Sequence, residues 1–206
     1  EEDTYLDIEL TKGCYGYAKG IHTNIGPLNR GQTFKLHEYI KDDAIDQLAG
    51  TKIISTKPVA VTVLQDFMGV VSGSAGHDAM GDQIVPTDRL GKSYVVIRGY
   101  TAEVTSGTAL TDRIYLLGTK DGTTIDVKYY NSSNILQTVP LSVNAGTSAI
   151  FDMGNKTNEV AKAIYVEASE PVYCFQMSGC DNEEGAALIP SLYSIGENSL
   201  SFYQSN

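Results

Sequence analysis

Residues 50–61 read GTKIISTKPVAV, and residues 161–174 read AKAIYVEASEPVYC. Each stretch holds two runs of alternating apolar and polar residues, the pattern typical of a β-strand, and a proline stands between the runs. Proline holds its own φ and favours an extended conformation at the residue before it, so each stretch predicts a tight corner between two antiparallel strands. Pro58 and Pro171 lie 113 positions apart, which indicates an internal repeat.

Further segments recur in the same order on both sides of these corners. The matches are 4–8 with 123–127 at an offset of 119, 29–31 with 144–146 at 115, 84–86 with 188–190 at 104, and 91–95 with 196–200 at about 105. The offsets drift because connecting loops tolerate differences in length better than strands do. The chain therefore contains two related units.

The remaining pattern predicts β-structure almost throughout. Strands are expected at residues 5–10, 33–39, 51–55, 59–65, 93–100, 113–118, 123–129, 136–141, 148–153, 163–168, 172–177 and 199–203, with one short helix at 41–49. Asp121-Gly122 between two strong runs predicts a hairpin turn. A turn about every ten residues favours an all-β fold of two tandem β-sandwich pseudo-repeats, Ig-like or jelly-roll-like.

The two units are out of phase with the ends of the sequence. The expected boundaries are 1–90 for the first sandwich, 91–198 for the second and 199–206 for a spare terminal strand. The second unit has seven predicted strands, and the first lacks the counterparts of the first two. Open sheet edges attract strands, so residues 199–205 could complete the first unit, or a strand from another chain could, giving a polymer. A third interpretation is that the sequence is a piece of a longer protein.

Composition excludes several classes of partner. The 206 residues carry 15 Lys+Arg and 25 Asp+Glu, a net charge of −10. Such acidity opposes binding to nucleic acid and to anionic membranes, because both need cationic side chains. No apolar run is long enough for a membrane span, so membrane insertion is not expected, and any export signal has been removed or lies outside the sequence.

The cysteines and two sequons leave their alternatives open. Cys174 and Cys180 are candidates for a short disulfide loop, with Cys14 left over, or all three are unpaired thiols. Asn131 and Asn155 stand in N-x-Ser/Thr sequons and are candidates for glycosylation.

No catalytic constellation stands out. The three histidines lack metal-ligand spacing, and neither a nucleophile elbow nor a phosphate-binding glycine loop is present. Two loop clusters are candidates for an oxygen-rich calcium site. They are His77, Asp78 and Asp82 in one loop, and Asp181 and Glu183 in the other. The competing interpretation is that these are solvated acidic loops. No other cofactor is predicted.

Tyrosines are the better candidates for a binding surface. Tyr15 and Tyr17 lie in a glycine-rich segment, and Tyr129 and Tyr130 end a predicted strand. Aromatic residues anchor interfaces because they bury a large area at a low cost in rotamer entropy. The competing interpretation is that they cap the sandwich cores.

Residues 50–61, 83–86 and 91–96, with the turns at 28–32 and 121–124, resemble the IgGFc-binding protein N-terminal domain family over roughly the whole chain. The resemblance implies a secreted or surface β-protein with a binding, adhesive or matrix role and no catalysis. The sequence departs from the family pattern in the loop 66–82, which lacks a cysteine that family members often carry, whereas Cys180 lies in the matching loop of the second unit.

Together these features predict a non-enzymatic extracellular or cell-surface protein. It would act in adhesion, as a surface-displayed binding module, or as a subunit of a filament assembled by β-strand contacts. Its partners would be other protein chains, either copies of itself or a surface glycoprotein. The alternative is a carbohydrate-binding module or a glycan-active enzyme that uses the loops 66–82 and 180–185.

Overall fold

A computed structural model describes residues 1–37, 48–68, 78–99, 111–154, 159–180 and 183–194. These residues form an all-β protein, as predicted, with a single 3₁₀ turn at Thr87–Arg89. The thirteen strands of the described part are β1 Thr4–Leu10, β2 Gly20–Leu28, β3 Lys52–Ser55, β4 Val61–Met68, β5 Asp78–Ile84, β6 Ser93–Ile97, β7 Asp112–Gly118, β8 Thr123–Tyr130, β9 Leu136–Val143, β10 Ser148–Gly154, β11 Ala163–Ala168, β12 Val172–Cys180 and β13 Glu183–Ile189.

The second unit is a sandwich of two four-stranded antiparallel sheets. One sheet has the order β6-β11-β8-β9 and the other the order β10-β7-β12-β13. Because successive side chains of a strand point to opposite faces, each strand turns alternate apolar residues inward. Ile114 and Leu116 of one sheet pack with Ile125, Val127 and Val166 of the other in a single buried cluster. This core holds the two sheets face to face.

The turn at Asp121-Gly122 is not a hairpin, contrary to the prediction. Gly122 has a φ of +67°, which suits glycine. The flanking strands β7 and β8 belong to opposite sheets, so the turn carries the chain across the sandwich. The hydrophobic core determines this arrangement, because the inward side chains of β7 and β8 pack against each other across the core and the two strands do not pair.

The first unit contains a three-stranded sheet and a separate hairpin. The sheet has the order β2-β1-β3 and buries Leu6, Ile8, Leu10 and Cys14. The hairpin β4-β5 lies beside β13 of the second unit, where Tyr173 donates a hydrogen bond of 2.7 Å to the Val85 carbonyl. The first unit thus packs against the second in the described part of the chain.

Strand pairing reproduces the repeat residue by residue. The strands β1 and β3 pair in the same register as β8 and β11: Leu6–Ser55, Asp7–Ile54, Ile8–Ile53 and Glu9–Lys52 correspond to Ile125–Ala168, Asp126–Glu167, Val127–Val166 and Lys128–Tyr165. The offsets are 119 and 113, as in the sequence comparison. For β5 and β13, the pairs Val61–Ile84 and Cys174–Ile189 give 105, one more than the offset assigned from the prolines at 86 and 190.

Hydrogen bonds at the strand ends are copied as well. The Tyr5 N–H donates to Thr56 Oγ1, and the Thr124 N–H donates to Ser169 Oγ, both at 3.0 Å. The Asp3 N–H donates to Asn29 Oδ1, and the Gly122 N–H donates to Asn144 Oδ1, both at 2.9 Å. The two units therefore share side-chain contacts as well as strand order.

Some sequence predictions differ from the fold. Residues 33–37 form no strand, and β2, β5 and β13 were not predicted because their glycine, proline and acidic residues are typical of loops. Most of the helix predicted at 41–49 and the whole strand at 199–203 lie outside the described residues. The domain boundaries at 90 and 198 remain predictions.

The two units touch at a pair of glycines. Gly50 has a φ of +80°, and a Cβ placed on it would lie 2.1 Å from the Gly146 carbonyl oxygen. Gly16 has a similar φ of +84° with open space around the Cβ position. It therefore serves as a control for the backbone strain alone.

We expect Gly50→Ala to lower the free energy of unfolding by about 2–4 kcal/mol, since both the left-handed backbone and the overlap with Gly146 oppose a side chain. Gly16→Ala should cost about 1 kcal/mol from the backbone alone. Urea unfolding followed by circular dichroism measures both variants. Equal costs would show that the glycine contact contributes nothing.

Candidate functional site

The four tyrosines singled out in the sequence divide into two interior and two exposed residues. Tyr17 makes edge-on contacts with Phe34 and His22, with ring centroids 5.8 and 5.1 Å apart. Tyr129 packs against Phe151 at 5.5 Å. These two tyrosines cap the cores, as the competing interpretation holds. Tyr15 and Tyr130 are exposed, and they lie on different units.

Tyr130 belongs to an apolar row that crosses the outer face of the sheet β6-β11-β8-β9. Tyr130 is paired with Leu136, and Ala163 is paired with Ile97. The strands β11 and β8 pair antiparallel with Tyr165 opposite Lys128, and two residues further along this pairing Ala163 is opposite Tyr130. Ile97, Tyr130 and Leu136 are 70%, 61% and 54% exposed. We call Ile97, Ala163, Tyr130 and Leu136 the apolar row.

The members of the apolar row point away from the core. Val96 and Ile164, the strand neighbours of Ile97 and Ala163, are buried, and Tyr129, the neighbour of Tyr130, packs against the core. The alternation of each strand therefore turns Ile97, Ala163 and Tyr130 to solvent. An apolar line on an exposed sheet face is a common mark of an interaction surface. Because it stands on paired strands, the backbone positions of its residues are set before any partner binds.

Charged residues replace apolar ones further along the same face. Lys128 Nζ lies 2.6 Å from Glu167 Oε2, and this hydrogen bond raises the pKa of the Lys128 ammonium. Val95 is half exposed and lies level with Lys128, since both residues pair with Tyr165. The face therefore grades from an apolar end to a charged end.

A cleft of about 320 Å³ adjoins the apolar row. It is lined by Tyr130, Asn131, Ser132, Asn134, Glu159, Lys162 and Ala163. Glu159 is held 2.9 Å from Arg98 and 3.9 Å from Lys162, so its negative charge is balanced at the wall of the cleft. Tyr130 and Ala163 belong to both features, so the cleft forms a polar margin of the row.

The turn after Tyr130 is held by Asn131. Its Oδ1 accepts hydrogen bonds of 3.0 Å from the N–H groups of Ser133 and Ile135. Asn134 completes the turn with a φ of +59°, a conformation that asparagine tolerates. The glycosylation predicted at Asn131 remains a prediction, and Asn155 lies outside the described residues.

The predicted Cys174–Cys180 disulfide is wrong. Cys174 is a free, buried thiol, and both cysteines belong to the single strand β12. Six residues of extended strand separate their Cα atoms by roughly 20 Å, whereas a disulfide needs about 4.4–6.8 Å. Burial raises the pKa of the Cys174 thiol to about 12, which keeps it protonated and unreactive at neutral pH.

We therefore expect three titratable thiols in denaturant without reductant. In the native protein at pH 8, Cys174 should resist alkylation for as long as the fold persists, because its protonated thiol is enclosed. Peptide mapping after native and denatured alkylation checks this. Detection of only one thiol in denaturant would show that the disulfide is present.

The metal candidates do not meet in the described part of the chain. No group of three His, Cys, Asp or Glu side chains there is arranged to hold a metal ion. His77 and Asp181 lie outside the described residues, as do the side chains of Asp78 and Glu183. The Asp82 carboxylate accepts hydrogen bonds from the N–H groups of Leu188 and Gln83, both at 2.7 Å. Asp82 thus joins the two hairpins, and a calcium site stays an untested prediction.

Ile97, Ala163 and Leu136 were not singled out in the sequence. The signal that points to β6 is its unbroken apolar run, SYVVI, in a strand with only one buried face. Its outward residues Val95 and Ile97 are apolar where a solvated face would be polar. Within the described residues no helix is long and apolar enough to cross a bilayer.

Comparisons with known proteins complete the description. The family model described as IgGFc binding protein matches residues 1–203. No curated protein matches the chain. Among solved structures, the chain is similar to the crystal structure of Thermotoga maritima 1070, with 14% identity, a TM-score of 0.37, and coverage of 48% of this chain and 91% of that one. A similarity at this level carries no argument about function.

Proposed function

Because this chain belongs to the IgGFc-binding protein family, we propose that it is a non-enzymatic extracellular protein that binds protein partners through the apolar row. The family is of a binding type and extracellular. The observation that carries the proposal is the line of exposed Ile97, Tyr130 and Leu136 on one rigid sheet. Protein interfaces commonly have such an apolar, aromatic centre.

The surroundings of the row support a protein partner. The cleft supplies amide and charged groups at the margin of the row, and the Lys128–Glu167 pair supplies charge further along the face. An apolar centre with a polar margin excludes water from the central contacts and adds orientation through hydrogen bonds. Adhesion or matrix attachment is the biological role that fits such a surface on an extracellular protein.

Two alternatives remain distinct proposals. A filament would use the sheet edges of the first unit, which have no described strand beside them. A glycan ligand would use the cleft, where the Tyr130 ring stands beside Asn131, Asn134 and Glu159. The loops 66–82 and 180–185 first considered for glycan binding lie partly outside the described residues.

The proposal is tested by a pair of matched substitutions. Ile97 in the row and Ile21 in the first unit are each 70% exposed. We expect Ile97→Asp to weaken binding by about tenfold or more and Ile21→Asp to leave it unchanged, because only the first buries a charge in the interface.

Immobilised IgG Fc fragment is the first probe, since the family is described by that ligand, and the protein itself is the second. Enzymatically deglycosylated Fc separates recognition of protein from recognition of glycan. Equal affinities of the two variants would place the interface elsewhere, and binding that is lost on deglycosylation would favour the glycan alternative.

A further inference from the structure

The first unit has one strand fewer beside β3 than the second unit has beside β11. In the second unit, β11 lies between β8 and β6. In the first unit, β3 has β1 on one side, and no strand among the described residues pairs with its other side. Ile53 is accordingly only half-buried, whereas its counterpart Val166 is completely buried.

The strand that completes the second sandwich follows the hairpin of the first unit in the chain. After β5 the chain makes the 3₁₀ turn and enters β6, which pairs with β11 in the second sandwich. A hydrogen-bonded turn at the matching positions follows β13. Hydrogen bonds link the Arg89 N–H to the Pro86 carbonyl at 3.0 Å and the Ser194 N–H to the Ser191 carbonyl at 2.8 Å, with an offset of 105 in both. The chain thus leaves both hairpins in the same way.

Two hydrogen bonds join like or nearly like positions of the two units, as an approximate two-fold relation between them would. Ser194 Oγ donates to the carbonyl of Arg89 at 3.2 Å, and these residues are counterparts at the offset of 105. The Leu188 N–H donates to Asp82, and Leu188 is the counterpart of Gln83, the residue that follows Asp82 in the chain. Contacts between like positions are the property of an isologous, two-fold interface.

A two-fold relation makes strand exchange reciprocal. The strand β6 follows the hairpin of the first unit and pairs in the second, so under a two-fold relation the copy of β6 that follows β13 is directed back to the first unit of the same chain. A head-to-tail arrangement would direct it to a different molecule, and like positions would then not touch.

We propose that residues 199–203 (SLSFY) pair antiparallel with the free edge of β3 in the same molecule and complete its sheet. In the second unit, Tyr94 is opposite Val166 and Ser93 is opposite Glu167. The offset of 105 would carry this register to Ser199 opposite Ile53 and would turn the serines of the segment inward. One more residue in the connection, an offset of 106, places Leu200 opposite Ile53 and Ser199 opposite Ile54, and this is the register we propose.

The side-chain pattern of the segment selects this register. Tyr94 and Val96 are the inward residues of β6, and Leu200 and Phe202 take the same positions. The polar residues Ser199 and Ser201 fall on the outward face. Leu200 would cover Ile53, the residue that is left half-buried. This pairing does not depend on the proposed function.

Cysteine pairs test the register directly. In a Cys180→Ser background, Ile54→Cys with Ser199→Cys is compared with Glu167→Cys with Ser93→Cys, the same pair in the second unit. Ile54→Cys with Ser205→Cys is the mismatched control. We expect mild oxidation to remove both engineered thiols from the first two proteins, each migrating as a monomer on a non-reducing gel, and to leave the mismatched pair reduced.

Two outcomes overturn the proposal. Disulfide-linked dimers through the thiols introduced at positions 54 and 199 would make a second copy the occupant and support filament assembly. No bridge between positions 54 and 199, while the pair at 93 and 167 closes, would place the segment elsewhere.

Hydrogen exchange provides a test without engineered thiols. Leu200→Asp should speed the exchange of the Lys52–Ser55 amides, because a charge opposite Ile53 weakens the pairing, and Ser205→Asp should not. Equal exchange in these two variants would contradict the pairing.

Discussion

Replacing Met177 by alanine is expected to lower the free energy of unfolding by about 2–5 kcal/mol, the usual cost of deleting a buried methionine side chain. Met177 is 4% exposed and lies on β12 between β7 and β13. Removal of its side chain leaves a cavity that paired strands on both sides keep from collapsing.

The matched control is Leu64→Ala at the equivalent position of the first unit. Leu64 pairs with Gly81 as Met177 pairs with Ala186, yet it is 72% exposed. Its truncation should change stability by less than about 0.5 kcal/mol. Urea unfolding followed by circular dichroism suits a protein without tryptophan. A comparable loss at Leu64 would show that the hairpin β4-β5 is covered in solution.

Tyr130→Ser is expected to weaken partner binding by about 30-fold or more, the effect of losing an aromatic anchor at the centre of an interface. Tyr130 is shared by the apolar row and the cleft, so its ring contributes to both the apolar centre and the polar margin. Its exposure means that the substitution should leave the free energy of unfolding nearly unchanged.

Tyr15→Ser is the control, since Tyr15 is 73% exposed on the other unit. Biosensor titration over immobilised IgG Fc fragment, with unfolding midpoints measured in parallel, separates loss of contact from loss of fold. If Tyr15→Ser weakened binding and Tyr130→Ser did not, the interface would lie on the first unit.

Much of the fold was accessible from the sequence because its signals are local. Alternation along β1, β7 and β8 marks the buried face of each strand without knowledge of its neighbours. Comparison of the chain with itself located the repeat, and the pairing of β1 with β3 confirms it in the same register.

The candidate site was accessible only in part. Tyr130 was identified as an exposed aromatic residue, but Tyr129 beside it belongs to the core, because adjacent residues of a strand face opposite ways. The row joins side chains from four strands that are spread over the sequence from Ile97 to Ala163. No short window of sequence contains it. The disulfide was misjudged because spacing along the chain does not show that Cys174 and Cys180 share one extended strand.

The sequence by itself determined the β character, the two related units and the net negative charge, since each follows from residue type and order. Tertiary structure alone decided that the Asp121-Gly122 turn crosses between sheets, that the hairpin β4-β5 lies against β13, and that an apolar row reaches solvent. The physical reason is that strand pairing and burial depend on residues far apart in the chain, whose contacts form only when the sheets pack.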